Sequence, residues 1–490
     1  MRSKTCFLKS AELLINIKNL IGLFFGLLFC APLLAQLPSA LEIAGEMTIG
    51  WNIGNSLEVP SGETGWGNPM VNQTLIDAVS DAGFNTIRIP CSWDSHANQS
   101  TLEIDVNYID RVGQVVDYCY NNDMYVIINC HWDGGWLENN VTEAAQESVN
   151  EKQDAYWTQI SDYFIDYDEH LLFAGANEPN VGSAAQMAIL ISYYQTFIDA
   201  VRATGDNNSS RVLIIQGPST DITKTNQYMS SMPTDQIEDR LMVEIHYYTP
   251  WNFCGLANDE SWGKMFYFWG KDYHSSTNPE RNATWGEEDT VESYFQSMKT
   301  KFADKGIPMI MGEYSVLKRT SLTGADLELH IASREYYYQY VTNAAVRYGM
   351  VPIYWDNGYY GNNGVALFDR DNGDIVDQGA LDALMRGATE GTSVKKKHEI
   401  KKNSAVESIT VLPNPVSAST EIQFVLEKAE PVNISVINIL GQEMARFNNV
   451  DFKRGLNSVT WNTGHLPAGA YFIRVMTEGH LLMKKVLVLH

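Results

Sequence analysis

Two glutamates in this chain stand where carboxyl chemistry would be useful. Glu178 follows the apolar run in LLFAGANEP, and Glu313 follows the one in PMIMGEY. Two facing carboxyl groups can cleave a glycosidic bond, one as acid and base, the other as nucleophile or as activator of water. Their separation sets the stereochemistry, about 5–5.5 Å for retention and about 6.5–9.5 Å for inversion. Either glutamate alone could be a strand-end residue in a salt bridge. Other apolar runs, however, also end in groups suited to such a site: Asn52, Arg88, His131, Asn177, His246, Tyr248 and Trp355. Packing alone does not explain so many polar groups at equivalent places.

The runs themselves indicate what positions these residues. They are TIGWNIGN from Thr48, NTIRIP from Asn85, YVIINCHW from Tyr125, LLFAGANEP from Leu171, RVLIIQGP from Arg211, LMVEIHYY from Leu241, PMIMGEY from Pro308 and VPIYWDNG from Val351. Nearly all apolar and rich in β-branched residues, they read as strands buried on both faces. Segments with helical spacing of apolar residues separate them, such as 107–121 and 183–203. Eight strands alternating with helices predict an α/β fold, a (β/α)8 TIM barrel, whose chemistry gathers at the C-terminal ends of the strands. A doubly wound open sheet would show a glycine-rich phosphate turn after its first strand, and GWNIGN is not one.

Composition narrows the partners. Between Gln36 and Glu390 acidic side chains outnumber basic ones 50 to 19, whereas from Gly391 onward basic ones lead 12 to 8. The acidic body argues against nucleic acid and anionic membranes as partners, since both need a basic face, but is compatible with a neutral polysaccharide. Basic residues Arg2, Lys4, Lys9 and Lys18 precede the apolar run LIGLFFGLLFCAPLLA, which predicts a signal peptide over 1–35. That run is short for a membrane span. Cys30 would suit a lipoprotein signal, but Phe29 stands where such signals want a small residue. Cys91, Cys119, Cys130 and Cys254 then remain, and isolated buried thiols are expected rather than pairs. No CxxC or CxxH spacing suggests zinc, and no metal or cofactor is expected.

The barrel pattern stops near Met385, giving an expected catalytic domain over 36–390. Small, polar and basic residues over 391–407 read as a linker. From 408 to 490 short alternating runs with turn signals predict a small all-β sandwich.

The motifs GWNIGNSLE with ETGWGNP, TIRIP, IINCHWDGGW, GANEP, EIHYYTPWNF, MGEY and IYWDNG, in this order, resemble those of glycoside hydrolase family 5, in its endoglucanase-rich part. The resemblance covers nearly all of Leu41–Met385 and implies a retaining endo-β-1,4-glucanase acting as a monomer. By that resemblance Glu178 is the acid/base, its pKa raised by its partner's charge, and Glu313 the ionised nucleophile, held by Arg88 and Tyr248. Asn177 would bind the 2-hydroxyl, His131 and His246 sugar hydroxyls or the catalytic carboxyls, and Trp355 would be the stacking floor. Relatives often carry a second histidine where this chain has Trp132, so changed sugar contacts are expected there. Trp66, Trp136, Trp251 and Tyr359 are expected to line a glycan cleft, with Asn52 and Glu58 as further sugar contacts. Cellulose, xyloglucan, mixed-linkage glucan and mannan all remain open as substrates. A metal-dependent barrel hydrolase would want an HxH after the first strand, and a glycan-binding protein without catalysis would not need both glutamates.

The tail, through VLPNPVS, VINILGQEM, LPAGAYFIRV and KKVLVLH, resembles the type A sorting domain of the type IX secretion system. This implies a bacterial protein exported past the outer membrane, secreted or attached to the cell surface, with the secretion machinery as partner. A carbohydrate-binding sandwich is the alternative, against which stands the presence of one tryptophan, Trp461, in the tail.

Overall fold

The computed structural model describes residues 38–403, 406–426, 429–438, 442–464, 466–477 and 480–489. The expected signal peptide lies outside the described residues. Eight parallel strands close a barrel in chain order: β1 Gly50–Ile53, β2 Thr86–Ile89, β3 Tyr125–Asn129, β4 Leu171–Ala174, β5 Leu213–Gln216, β6 Leu241–His246, β7 Met309–Glu313 and β8 Met350–Asp356. All eight predicted runs become strands of this sheet. Their outward side chains pack under helices, among them α3 Val106–Tyr120, α4 Gln146–Tyr163, α5 Ala184–Ala203 and α9 Gly324–Arg347.

Inside the barrel, side chains two residues apart on a strand stack in layers. The lower layer is apolar, with Ile127, Leu172, Ile214, Met242, Ile310 and Ile353. A short helix, α1 Ala40–Glu46, seals it from below through Ala40 and Ile43. Ser39 starts that helix with a capping box, its hydroxyl accepting from the Glu42 N–H while the Glu42 carboxylate accepts from the Ser39 N–H at 2.7 Å. The layer above is polar. Two residues up the same strands stand Asn129, Gln216 and Glu244, with Asn52 and Arg88 beside them, all buried. That layer is the floor of the site.

The expected linker differs. Helix α10 spans Gln378–Asn403 and so passes through most of 391–407. Gly387 and Gly391, one turn apart, let it lie close on α9. A Cβ on Gly387 would come 2.6 Å from the Gln339 carbonyl oxygen, and one on Gly391 would come 2.7 Å from Val346 Cβ. Residues that look like a linker by composition begin as the last turns of a packed helix.

Beyond it, two antiparallel sheets enclose a separate core, in strand orders β13-β10-β9 and β12-β11-β14-β15. Their limits are β9 Val406–Leu412, β10 Ser419–Leu426, β11 Glu430–Asn438, β12 Glu443–Phe452, β13 Gly455–Asn462, β14 Gly469–Thr477 and β15 His480–Val488. Trp461 is buried in that core among Val416, Leu466 and Tyr471, so it offers no binding platform. Among the described residues no helix is long and apolar enough to cross a membrane.

Candidate active site

Strand ends β4 and β7 bring Glu178 and Glu313 together across the barrel mouth. An oxygen of each carboxylate and a ring nitrogen of His246 all lie within 4.8 Å of one another. Such spacing lies near that of a retaining pair and below that of an inverting one.

Arg88, on β2, ties the floor together. Its Nη1 donates to Glu313 Oε1 and to Asn52 Oδ1, both at 3.0 Å, and its Nη2 donates to Asn177 Oδ1 at 2.9 Å. Its Nε lies 2.9 Å from Glu244 Oε1, an ion pair without hydrogen-bond alignment. Tyr248 donates its hydroxyl to Glu313 Oε2 at 3.0 Å. His246 places Nδ1 2.6 Å from Glu178 Oε1 and Nε2 3.1 Å from Glu244 Oε1. An unpaired ion at this depth would cost several kcal/mol, so the layer persists because each charge faces an opposite one.

The asparagines fix orientations. Asn129 accepts from the Cys91 N–H through Oδ1, so its Nδ2 faces His131 Nδ1 at 3.1 Å. His131 therefore accepts at Nδ1 and carries its proton on Nε2, a donor for a sugar hydroxyl. Burial, then Arg88 and His246, hold its pKa well below the usual histidine value, so the ring is neutral. The ring lies nearly parallel to Trp355, with centroids 5.8 Å apart. Asn52 spends Nδ2 on the Gly312 and Tyr354 carbonyls and Oδ1 on Arg88. It supports Arg88 and does not reach for sugar.

Three further expectations are corrected. Glu58 folds inward, its carboxylate accepting the Asn55 and Ser56 N–H groups, and burial raises its pKa to about 7. It pins the turn after β1 rather than touching sugar. Trp136 is only 9 % exposed, packed edge-on against Tyr156 under Lys152, and forms a wall of the core instead of a stacking face. The third concerns Glu178. Burial would raise its pKa, but the hydrogen bond and charge of His246, then Arg88, outweigh this and hold it below the usual range. Burial pushes Glu313 up instead, against the pull of His246 and Arg88. The order is the reverse of the expected one because His246, not Glu313, is what Glu178 touches.

Trp66, Trp251 and Tyr359 are exposed, at 53, 47 and 57 %. Trp132, where relatives often have histidine, is also exposed. Trp251 stands edge-on to Tyr248, 6.1 Å away. Trp262 and Trp285, further along the same loop after β6, are exposed too and were missed for want of a motif. So were Gln216, Glu244, Glu138 and Thr220. Glu244 had a signal, a lone acid inside the apolar run LMVEIH. Glu138 had none. It accepts the Glu178 N–H at 2.5 Å and the Asn177 side chain, holding the turn that carries the acid/base candidate, and burial raises its own pKa to about 7. Thr220 approaches Glu178 Oε1 at 3.4 Å from a strained turn, where Ser219 and Thr220 have φ of 52° and 48°. Cys91, Cys119, Cys130 and Cys254 are free and buried.

Glu178, His246 and Glu313 are close enough to hold a cation. Both ring nitrogens of His246, however, face carboxylate oxygens as hydrogen-bond partners, and a metal would have to displace one of those contacts.

A closed parallel barrel with a facing carboxylate pair at its C-terminal rim defines a barrel glycoside hydrolase. Residues 52–361 match the cellulase family, glycosyl hydrolase family 5, and residues 410–489 match a secretion system C-terminal sorting domain. The chain belongs to glycosyl hydrolase family 5. It is 36% identical to endoglucanase A of Paenibacillus barcinonensis over 376 residues, 71% of this chain and 90% of that protein. It is 35% identical to a xyloglucan-specific endo-β-1,4-glucanase of Bacteroides ovatus, over 71% of this chain and 70% of that one. A solved xyloglucan-specific β-1,4-glucanase of family 5 from a ruminal metagenomic library aligns with a TM-score of 0.67 at 40% identity, covering 72% of this chain and 97% of that one. This chain is thus an endoglucanase-type glycoside hydrolase with a tail that directs export.

Proposed function

We propose that the enzyme cuts β-1,4-glucan internally with retention of configuration, and that xyloglucan is among its substrates. The observation that carries the mechanism is the approach of Glu178 and Glu313 to within 4.8 Å. Glu313 attacks the anomeric carbon, Glu178 gives a proton to the departing oxygen, and Glu178 then takes one from the water that releases the product. Arg88 and Tyr248 hold both oxygens of Glu313 in place for attack. Asn177, its Oδ1 committed to Arg88 and one amino hydrogen to Glu138, keeps its other amino hydrogen for the 2-hydroxyl. Exposed rings at the loops after β1, β6 and β8 supply stacking faces for a chain that runs across the mouth.

Xyloglucan is favoured by two relatives named for it, at 35% and 40% identity. Cellulose and mixed-linkage glucan share its backbone linkage. The matched sorting domain supports release to the cell exterior or surface.

The test is stereochemical. Glu313→Ala with azide should give an α-glycosyl azide from an activated β-glycoside. Glu178→Ala should lose about 10²–10⁴-fold on poor leaving groups, less on dinitrophenyl β-cellobioside, and give the β-azide. An α-anomer as the first wild-type product would overturn retention. Activity on mannan with none on any glucan would overturn the substrate.

A further inference from the structure

Beneath the catalytic pair lies a third carboxylate that two-carboxylate hydrolysis does not call for. Glu244 is 1 % exposed and sits in the polar layer on β6, two residues before His246. Gln216 donates Nε2 to its Oε2 at 2.6 Å. The orientation of that amide is settled, because Gln216 Oε1 accepts the Ala176 N–H at 3.0 Å. Arg88 Nε stands 2.9 Å from Glu244 Oε1. Each side chain that Glu244 pairs with is thus a donor or a cation, and these hold its pKa below the usual carboxylate range against burial.

The space for it is made by the residue next to the nucleophile. A Cβ on Gly312 would lie 1.9 Å from Glu244 Oε1, so the position before Glu313 is bare where this carboxylate fills the volume. A feature that excludes any side chain beside the nucleophile is built into the site.

Its consequence falls on His246. Nε2 points at the ionised Glu244 and Nδ1 at Glu178, at 3.1 and 2.6 Å. A neutral imidazole carries one proton and would turn a lone pair on one of these oxygens. We propose that Glu244 is a positioning residue that keeps His246 doubly protonated, and that His246 hands its Nδ1 proton to Glu178 as the leaving group departs. This rests on Glu178 being the acid/base. The groups facing His246 are Arg88 from β2, His131 after β3, Glu178 after β4, Glu244 and Tyr248 from β6 and its end, and Glu313 from β7. Burial would lower the His246 pKa, but Glu313, Glu178 and Glu244 together raise it to about 10.

The proton balance is closed. The Nδ1 proton moves to Glu178 and from there to the glycosidic oxygen, which leaves with the electron pair of its bond to C1, while a Glu313 oxygen forms the new bond to C1. His246 remains neutral, with its Nε2 proton on Glu244. In the second half water gives a proton to Glu178 and its oxygen to C1, the bond from C1 to Glu313 breaks back to the carboxylate, and the proton returns to Nδ1. The proton that Glu178 delivers is thus held at rest one hydrogen bond away, on His246, and moves only as charge develops on the departing oxygen.

A proton store with a raised pKa serves below that pKa and fails as pH rises through it. In Glu244→Gln the counter-charge is gone and the alkaline limb of kcat/KM on aryl β-cellobiosides with poor leaving groups should move down by about one pH unit or more. The loss should be smaller on dinitrophenyl β-cellobioside. Nitrogen-15 NMR of the wild-type histidines needs no folded variant and should show His246 charged at pH 8. A neutral His246 there, or an unmoved alkaline limb in a folded Glu244→Gln, overturns the proposal. If Glu178→Ala shows no dependence on the leaving group, the acid/base reading itself fails. If it shows that dependence while His246 is neutral, only the role of Glu244 fails.

Discussion

The two ends of the barrel are made by the same strands and obey opposite rules. At the base, Leu172, Ile214, Met242 and Ile310 meet as a dry apolar layer. Two residues further along, two of these strands present Gln216 and Glu244, with Arg88 of β2 beside them, equally buried but held by ion pairs and hydrogen bonds. Burial of apolar surface stabilises the first layer wherever the side chains fit. The second is stable only as a complete set, since one missing partner leaves another charge alone in the interior. The base tolerates change and yields stability by degrees, whereas the mouth is all or nothing.

The sharpest way to break this contrast is at Arg88. Arg88→Met leaves Glu244 and Glu313 without their shared cation and frees Asn177 and Asn52. The expected result is a stability loss of about 3–5 kcal/mol together with activity down by on the order of 10³-fold or more. Denaturant titration and kcat/KM on a soluble glucan check it, and a folded variant with near wild-type activity would end the claim. At the base, Leu172→Ala should cost about 2–5 kcal/mol in stability, with kcat per folded molecule unchanged. A changed kcat at constant folded fraction would mean that the layers are coupled.

The smallest effect concerns the end of the barrel unit. A chain ending after Asn403 should keep the wild-type melting temperature of the barrel and its activity. One ending after Met385 loses the contacts of Gly387, Ala388 and Gly391 on α9, and its barrel should melt several degrees lower, by calorimetry. Equal melting of the two truncated chains would restore the shorter domain limit.

The barrel was legible in the sequence because strands buried on both faces need long apolar runs, and seven of the eight runs carried a candidate site residue at or near their ends. The tail was legible through alternation in segments such as TEIQFVL. Glu178, Glu313, Arg88 and Tyr248 stood out as candidates because carboxyl chemistry in a barrel would need them at strand ends, and the structure brings the four together. Glu138 could not, since it reaches Glu178 from a loop 40 residues away in the chain. Trp136 and Glu58 were misplaced for one reason. A side chain in a mouth loop can turn inward or outward, and composition does not record the direction. The Glu178 pKa was misjudged because the nearest charge to it, His246, comes from another strand.

Helix α1 has a consequence for how the chain folds. It is the first described element, yet its N–H at Ala40 binds the Asp239 carbonyl at 2.8 Å and its apolar side packs with Ile310, Val351 and Ile353. Its seat does not exist until the eighth strand has been synthesised. The leading end of a nascent chain therefore has nothing to fold against while most of the barrel is still being made. The plug thus closes the base of the barrel last, and locks it only when all eight strands are in place.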